Sequence, residues 1–361
     1  MIDFAAGFFA PWIICAVILG LHLVLPARKV DGYVEDAATG RPLRYRLNGL
    51  LVLVVLVLLW VVLSRTGVFA WDWLWTHRWS GLIGSFALGL LFSVAVVLPA
   101  PRTGRSFLAD LYFGRWENPQ WFGHRVDAKM FLYLVGAVML ALNLLSFTAH
   151  HVIKFRASAS PGVGLYCALF FWFLIDYLTF ERVHLYTYDI FAERVGFKLG
   201  WGCFTFYPYF YAVGLWATAD KPDPGTPTWL LVICALVFFA GWSLSRGANM
   251  QKYTFKRDPR KVYLGFVKPA PITDGNKALL ANGFWGISRH VNYLGEILMA
   301  VGLALVLGYP AVWEVWLYPL FYVFLLFPRE RADERRCAAK YGELWAEYER
   351  RVPKRIIPWV Y

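Results

Sequence analysis

The sequence predicts an all-α, polytopic transmembrane helical bundle, and three observations predict it. Hydrophobic residues make up 59% of the 361 residues, charged residues make up only 17%, and the mean hydropathy is +0.48. This composition lies outside the range of soluble globular domains. Apolar runs recur along the chain, most of them near the length that a helix needs to cross a bilayer, about 17 to 25 residues. Such runs are too long and too uniformly apolar for barrel strands, so they are expected to be helices with internally paired backbone amides.

Nine apolar runs are predicted to cross the membrane, two of them short, and a tenth crossing or a re-entrant segment near Leu279–Ile287 is left open. The runs are Ala6–Leu25, Leu47–Leu63, Gly81–Leu98, Met130–Phe147, Leu165–Leu178, Leu199–Leu215, Thr228–Leu244, Glu296–Leu307 and Ala311–Phe327. We predict one integral membrane domain over residues 1–361, in which 1–245 are mainly the bundle and 246–361 contain most of the polar machinery.

Lys and Arg are distributed unequally between alternate loops, with 31 in loops after odd-numbered spans and 5 in the others. Because positive charge is retained on the cytoplasmic side, we expect a cytoplasmic C-terminus and, with nine spans, an external N-terminus. The net charge of +12 suits anionic lipid or a phosphate-bearing ligand. We expect a multi-pass protein of a bacterial inner membrane or of the endoplasmic reticulum, with membrane lipids and no nucleic acid as partners. The oligomeric state is left open.

The five cysteines do not form a recognisable framework. They have no Cys-x-x-Cys spacing, and four of them lie in apolar runs. Neither a disulfide framework nor a zinc site is indicated, and we predict no metal.

The stretch from Arg246 to Tyr361 contains eighteen Lys and Arg, Arg246 included, around two apolar spans. Lys252 and Lys256 would share a helix face one turn apart, and with Arg257 beside them they could hold a phosphate. A basic cluster next to a span is also the ordinary positive-inside signal. These residues alone leave both interpretations open.

Arg329, Asp333 and Cys337 recur at intervals of four, so they would form one stripe on a helix. Arg329 could bind a phosphate and Asp333 could accept a hydrogen bond from a ribose or an amide. The alternative is a solvated Arg–Asp helix pair that contributes only a few tenths of a kcal/mol. Tyr348 would lie off this stripe unless the helix bends near Gly342.

The run from Gly283 to Glu296 has too many polar and aromatic residues for lipid contact. Trp285 and Tyr293 could stack on a flat ring, Arg289 and His290 could bind phosphate, and Asn292 could pair with an amide. An interfacial hairpin held by its aromatic residues explains the same composition. The chain has no dinucleotide-binding glycine motif after a strand and no Walker-type loop, so a nucleotide here would not use a Rossmann or P-loop fold.

Asp176 interrupts an aromatic run, and further charged residues, among them Glu181 and Asp189, follow it closely. A charge at the bilayer centre costs roughly 2.5 to 3.5 kcal/mol on an insertion scale. Asp176 should therefore face the bundle interior, a cavity or Arg182. An internal ion pair that only fixes helix packing is the alternative.

Five fragments, in order along the chain, resemble the sterol reductases that saturate C14, C7 or C24 double bonds and are related to the reductase domain of lamin B receptor. They are Gly114–Pro119, similar to G-R-E-L-N-P-R; Asp176–Asp189, similar to D-A-L-x-x-E-x-x-x-L-T-T-x-D; Asn249–Lys256; Leu279–Glu296; and the tail to Tyr361. Each fragment is weak singly, but the order makes the resemblance specific. Three positions depart from the family pattern: Gln120 and Lys256 each replace an Arg, and Val291 replaces a proline.

The resemblance implies an oxidoreductase acting on CH–CH groups, which reduces a sterol carbon–carbon double bond with NADPH bound in a cytoplasmic-side pocket of the C-terminal portion. By motif position, the implied dinucleotide contacts are Lys252, Leu280, Trp285, Asn292, Arg329, Asp333, Cys337 and Tyr348. The residue chemistry above adds Lys256, Arg257, Arg289, His290 and Tyr293 to the predicted site. The proton would come from Glu181 or Asp189, with Asp176 and Tyr177 as further candidates, either directly or through a relay.

Two other functions are weighed against this one. The segment Arg289–Glu296 also resembles the R-H-P-x-Y-x-G motif of isoprenylcysteine carboxyl methyltransferases, which use S-adenosylmethionine but have fewer spans. A sterol-binding membrane protein without activity is the second alternative. The elements Asn249–Lys256 and Arg329–Cys337 favour the reductase over the methyltransferase, and Lys252, Arg329 and Asp333 favour it over a decayed site.

Overall fold

The computed structural model of the protein describes residues 2–36 and 39–361. Helices dominate this part of the chain, and its strands form three two-stranded antiparallel sheets. The expected all-α, polytopic membrane fold is confirmed. The chain forms two compact units, Met1–Asp223 and Pro224–Tyr361. The division of one domain at residue 245 stays a prediction.

The first unit is built around one buried helix, α6, whose apolar window is 89% buried. Its helices are α1 (Ile2–Val24), α2 (Gly49–Arg65), α3 (Trp73–Thr76), α4 (Arg78–Val97), α5 (Phe107–Phe113), α6 (Ala128–Phe155), α7 (Pro161–Thr179), α8 (Glu181–His184), α9 (Tyr188–Ala192), α10 (Phe197–Trp201) and α11 (Val213–Thr218). Its strands are β1 (Arg28–Glu35), β2 (Pro42–Leu47), β3 (Gln120–Trp121) and β4 (Val126–Asp127). Helix α6 begins at a capped residue, because the Asp127 carboxylate accepts a hydrogen bond from the Met130 amide.

Among the described residues, five helices are long and apolar enough to cross a membrane: α1, α4, α6 extended to Ser158, α7, and Thr228–Arg257 of the second unit. Two shorter apolar helices, Gly49–Arg65 and Val291–Val306, coincide with further predicted spans. The predicted run Leu199–Leu215 is not one α-helix, since a π-helical stretch, Gly202–Phe210, separates α10 from α11. Pro208 lies within this stretch and lacks the amide hydrogen that a regular helix needs.

The second unit pairs two helices closely. Its helices are α12 (Thr228–Arg257), α13 (Val291–Val306), α14 (Leu317–Tyr341) and α15 (Glu343–Arg351), its strands are β5 (Pro271–Thr273) and β6 (Ala278–Leu280), and short 3-10 turns span Gly283–Gly286 and Trp313–Trp316. A Cβ atom on Gly241 of α12 would lie 2.6 Å from the Gly295 carbonyl oxygen of α13. These glycines therefore let the two backbones approach each other, as small residues do at membrane helix interfaces.

The segment that was left open as a tenth crossing, Leu279–Ile287, is not a helix that could span a membrane. Strand β6 pairs with β5 in its first part, and the Gly283–Gly286 turn follows. The last predicted span, Ala311–Phe327, begins with a 3-10 turn at Trp313–Trp316 and is α-helical only from Leu317. This helix continues beyond the predicted span to Tyr341. The polar stripe of α14 is thus a direct extension of an apolar helix.

Candidate functional site

The C-terminal end of α12 carries the predicted lysine pair on one helix. Lys252 and Lys256 are half-buried and one turn apart, and Arg257 is exposed. The Lys252 ammonium lies 5.3 Å from the centroid of the Trp285 ring, within cation–π range. The Arg257 guanidinium donates a hydrogen bond to the Tyr253 hydroxyl over 2.8 Å.

The Gly283–Gly286 turn is fixed against α12 by three hydrogen bonds. The Trp285 indole N–H donates to the Ala248 carbonyl over 2.8 Å. The Gln251 side chain donates to the Asn282 carbonyl and accepts from the Phe284 amide, both over 3.0 Å. Gly283 adopts a φ of +66°, a left-handed conformation that glycine adopts without strain. The orientation of the Trp285 ring is therefore set by the helix beneath it.

A bend at Gly342 brings Tyr348 back to the site. Gly342 has a φ of +55° and separates α14 from α15. The Tyr348 side chain is buried, and its hydroxyl donates to the Trp285 carbonyl over 3.0 Å. Tyr348 would have lain off the stripe of α14 on an unbroken helix, whereas the bend at Gly342 places its hydroxyl beside Trp285. A role of Tyr348 in cofactor binding stays a prediction.

The stripe of α14 is half-buried along its length at Arg329, Asp333 and Cys337. Cys337 packs against the buried apolar cluster of Ile272, Leu344, Trp345, Tyr348 and Val352. Burial, followed by the charge of Asp333, raises the pKa of the Cys337 thiol to about 11 against the opposing charge of Lys252. The cluster beside Cys337 includes Tyr348, whose hydroxyl donates to the Trp285 carbonyl, and the Lys252 ammonium lies over the Trp285 ring. The stripe of α14 and the end of α12 therefore both contact this aromatic pair.

Asn292 leaves one buried polar atom without a partner. Its side-chain amide nitrogen lies 3.5 Å from the Asn249 side-chain oxygen, at the limit of a hydrogen bond. Its own side-chain oxygen is buried and accepts no hydrogen bond. Two further predicted contacts, Leu280 on β6 and Tyr293 on α13, are also buried, with relative exposures of 9% and 8%.

Arg289 and His290 are placed differently from the other predicted contacts, since both are 4% exposed. The Arg289 Nε pairs with Glu334 over 2.5 Å, and its other nitrogens face the Val352 carbonyl at 3.1 Å and Glu349 at 3.8 Å. Burial, followed by the charges of Lys252, Arg289 and Arg355, lowers the pKa of His290 to about 3. His290 is therefore neutral at physiological pH and brings no positive charge to a phosphate.

His290, Glu330 and Glu334 place ligand atoms within 4.8 Å of one another, a geometry that a divalent cation could use. The two carboxylates already face guanidinium groups, because Arg289 pairs with Glu334 and the Arg355 Nε lies 3.7 to 3.8 Å from both acids. An added cation would be repelled by both arginines. The charges therefore favour an ion-pair network over a metal site at this cluster.

In the first unit, Glu181 is a buried carboxyl group with an exposure of 8%. Its Oε2 accepts a hydrogen bond from the Gly49 amide over 3.0 Å. Burial raises the pKa of Glu181 to about 7, and the Gly49 hydrogen bond opposes this shift without cancelling it. Glu181 can therefore hold a proton near neutral pH, as a general acid must.

The other predicted acids lie close to Glu181 in sequence and are less buried. The Tyr177 and His184 rings are tilted by 33° with their centroids 3.9 Å apart, and the His184 Nε2 donates to the Tyr177 carbonyl over 3.1 Å. Asp176 at the end of α7 and Asp189 on α9 are half-buried. The roles of Asp176, Tyr177, Glu181 and Asp189 stay predictions.

Sequence reasoning missed Lys129, which is fully buried at the start of α6. Its ammonium donates to the Ile190 carbonyl over 2.7 Å, and it attracts Asp127 and Asp189 electrostatically. The sequence pattern that could have indicated it is a lysine at the start of a long apolar run, two residues after an aspartate. Glu330 and Glu334 were also missed, although acids four residues apart among so many basic residues are a recognisable pattern.

The chain matches the family described as "Ergosterol biosynthesis ERG4/ERG24 family" over residues 4–361. Similar proteins include the Delta(14)-sterol reductase of Arabidopsis thaliana, which is 36% identical over 94% of this chain and 91% of that protein. The Delta(14)-sterol reductase TM7SF2 of Mus musculus is 32% identical over 98% of this chain and 86% of that protein. The Delta(14)-sterol reductase of Methylotuvimicrobium alcaliphilum is 29% identical over 99% of this chain and 83% of that protein. The chain therefore belongs to the ERG4/ERG24 family of ergosterol biosynthesis, a family of sterol reductases.

Proposed function

We propose that this protein reduces the C14 double bond of a sterol with NADPH. The proposal is carried by the family match over residues 4–361, together with relatives that are named Delta(14)-sterol reductases and align with nearly the whole chain. An isoprenylcysteine-type methyltransferase would account for the Arg289–Glu296 motif but not for a match of this length.

The residues of the second unit fit a dinucleotide. Lys252, Lys256 and Arg257 offer positive charge at the end of α12 for phosphate oxygens. The unpartnered oxygen of Asn292 is buried, and a buried polar atom without a hydrogen bond costs about 1 to 3 kcal/mol. An amide donor of the nicotinamide would satisfy it. Trp285 is held rigidly by its bond to Ala248 and supplies an aromatic surface.

The residues that we propose for the dinucleotide site are therefore of two kinds: those that bind or enclose the cofactor and those that support the site from behind. Lys252, Lys256, Leu280, Trp285, Asn292, Tyr293, Arg329, Asp333, Cys337, Tyr348 and Arg257 are proposed to bind or enclose the cofactor. Arg289 and His290 remain in the proposed site, but their burial and their partners suit them to support it from behind.

Reducing an unactivated carbon–carbon double bond requires a proton on one carbon and a hydride on the other, with positive charge developing on the carbon that accepts the hydride. NADPH, when bound, supplies the hydride. The chain must then supply the proton, align the sterol and exclude water. We propose Glu181 as the first candidate for the proton donor because its burial keeps it protonated near neutral pH, with Asp189, Asp176 and Tyr177 as relay members or alternatives.

The protein is proposed to act in a bacterial inner membrane or in the endoplasmic reticulum, with the second unit's site on the cytoplasmic side. The distribution of Lys and Arg, 31 against 5, supports this orientation. The sterol would reach the protein from the bilayer, since the first unit carries four of the five helices in the described part of the chain that are long and apolar enough to cross a membrane.

Two measurements on the purified protein test the proposal. We expect NADPH, and not S-adenosylmethionine, to raise its melting temperature, because only a ligand of the folded state stabilises it. Mass spectrometry of the products from C14-, C7- and C24-unsaturated sterols should then show reduction of the C14 substrate. A shift with S-adenosylmethionine alone would favour the methyltransferase, and sterol binding without any turnover would favour the non-catalytic alternative.

A further inference from the structure

One buried ion pair joins three elements of the second unit. Arg289 lies between α13 and the Gly283–Gly286 turn, which carries Trp285 and is called the Trp285 turn below. Glu334 lies on α14, and the segment after α15 runs past both residues. The Arg289 Nε and the Glu334 carboxylate are 2.5 Å apart, and their side chains are only 4% and 11% exposed. Both partners are therefore withdrawn from water, which makes the pairing geometry strict.

The same arginine holds the C-terminal segment. The Arg289 Nη1 donates to the Val352 carbonyl over 3.1 Å and lies 3.4 Å from the Pro353 carbonyl. Backbone bonds run alongside, because the amides of Arg289 and His290 donate to the carbonyls of Lys354 and Arg355 over 2.9 and 2.8 Å. The segment from Val352 to Ile356 is thus paired to the chain just before α13.

A second set of contacts secures the far end of this segment. The Ser288 hydroxyl donates to the Ile356 carbonyl over 3.0 Å. The Arg355 Nε lies 3.7 Å from Glu334 and 3.8 Å from Glu330, which is fully buried on α14. The Tyr361 hydroxyl lies 3.3 Å from the Glu330 carboxylate. Glu330 and Glu334, one helical turn apart, therefore form the face of α14 that receives the C-terminal segment.

On each of the three elements, a residue proposed to contact the cofactor lies within four positions of a residue of this network. Asp333 precedes Glu334 on α14, Trp285 and Asn292 flank Arg289, and Tyr348 lies one turn before Val352. Successive residues of an α-helix point about 100° apart. Asp333 is half-buried while Glu334 is buried against the C-terminal segment, so the two acids face different sides of α14.

We propose that the Arg289–Glu334 pair is a positioning device for the dinucleotide site, which sets the spacing between the Trp285 turn, the stripe of α14 and Tyr348 without touching the cofactor. This inference rests on the proposed function. It explains why the Arg289 side chain, predicted to bind phosphate, has each of its nitrogens directed to a protein group. Small displacements of such supporting residues weaken a site strongly, by about tenfold to a hundredfold for an ångström-scale shift.

The test compares single and double variants of the pair by NADPH fluorescence titration and by thermal unfolding. Glu334→Gln removes the charge, and Arg289→Lys keeps the charge but loses the planar fork that reaches Val352. Both should weaken NADPH binding about tenfold or more and lower the melting temperature. Glu347→Gln is the matched control, because Glu347 also pairs with two arginines, Arg350 and Arg351, but at the surface; it should leave the NADPH Kd unchanged.

The double variant Arg289→Met with Glu334→Leu separates positioning from stability. Breaking a buried ion pair on one side is strongly destabilising, whereas replacing both partners with apolar residues is often neutral. We therefore expect the double variant to recover most of the melting temperature lost in the single variants and still to bind NADPH weakly.

Recovery of wild-type NADPH affinity together with stability in the double variant would overturn the inference, as would wild-type affinity in both single variants. The pair would then be only structural. Failure of the wild-type protein itself to bind NADPH would instead overturn the proposed function, so the two failures are distinguishable.

Discussion

Glu181 shows how the environment of a single residue decides its chemistry. Its carboxyl group is 8% exposed and receives one hydrogen bond, from the Gly49 amide. Burial disfavours the charged form, and one backbone hydrogen bond does not compensate for it. A buried carboxyl group of this kind retains its proton at pH values where an exposed glutamate has lost it.

The raised pKa of Glu181 predicts a pH-dependent stability. The folded protein holds the proton up to a pKa of about 7, whereas the unfolded chain loses it near the ordinary glutamate pKa of 4.5. Between these values the folded state binds more protons, so its stability falls as the pH rises, by roughly 3 kcal/mol in total. Glu181→Gln cannot ionise, and its melting temperature relative to the wild type should therefore increase between about pH 4.5 and about pH 7 and level off above that.

The matched control for this measurement is Glu117→Gln. The Glu117 side chain is 63% exposed and pairs with Arg194 over 3.0 Å. Its removal should give a difference in melting temperature that does not grow with pH. A constant difference for Glu181→Gln would show that its carboxyl group is already ionised in the folded state.

Asp333 carries a prediction on binding. Asp333→Ala should reduce NADPH-dependent sterol reduction by about a hundredfold or more, because its carboxylate is proposed to hold the dinucleotide in the reactive position. The protein should stay folded, since Asp333 lies half-buried on the polar stripe of α14 and not in the apolar core. Turnover and melting temperature are measured together, and full activity in a folded variant would remove Asp333 from the site.

The sequence predicted the positions of single residues where local spacing decides them, but not where a contact between distant residues decides them. Lys252 could be placed on a helix because its spacing from Lys256 is local. The buried pairing of Arg289 with Glu334 links residues forty-five positions apart, and no local pattern reports such a contact. The buried Lys129 was missed for the same reason, since its partner is the Ile190 carbonyl on another helix.

At the scale of elements, the prediction of helices from apolar runs was confirmed for most runs. It was wrong where the backbone hydrogen-bond pattern changes within a run. The runs that became α4 and α6 contain no proline, and α1 accommodates Pro11 within its length. Leu199–Leu215 is also largely apolar, but a π-helical stretch that contains Pro208 divides it. Composition reports burial in lipid, whereas the hydrogen-bond pattern also depends on proline and on tertiary contacts.

The end of α5 provides a prediction at this scale. Gly114 has a φ of +88°, and a Cβ atom there would lie 2.3 Å from the Val195 carbonyl oxygen. Gly104 has a similar φ of +84°, but no atom lies within 4 Å of its Cβ position. Gly104→Ala should therefore cost only the left-handed strain of about 1 to 2 kcal/mol, and Gly114→Ala should cost about 1 to 3 kcal/mol more through the clash.

Thermal unfolding of both alanine variants checks this expectation. Gly114→Ala should melt at a clearly lower temperature than Gly104→Ala. Equal melting temperatures would mean that the close approach between Gly114 and Val195 does not hold α5 and α10 together.

At the scale of the whole molecule, the charge distribution predicts an orientation. With 31 Lys and Arg in one set of loops and 5 in the other, the C-terminus should be cytoplasmic. A fluorescent protein fused to the C-terminus in a bacterial host should fluoresce, and an alkaline phosphatase fusion there should be inactive. A reporter at the N-terminus tests the parity of crossings, because an odd number places it on the opposite side. An active C-terminal phosphatase would reverse the assignment.

The whole-molecule class was predictable because it depends on sums over many residues. A hydrophobic share of 59% determines a membrane protein whichever residues are in contact. The number of compact units was not predictable in this way. The chain divides at Asp223, in a short polar and proline-containing segment that composition alone did not mark as a boundary between units.

Isotope transfer to the sterol product tests the central claim most directly. Purified protein is incubated with a C14-unsaturated sterol and NADPH deuterated at the transferable position, or with unlabelled NADPH in deuterated water, and the product is analysed by mass spectrometry. We expect a reduced sterol that carries a single deuterium, from the nucleotide in the first case and from the solvent-exchanged acid in the second. A product that carries no deuterium from labelled NADPH, or no reduced product at all, would contradict it.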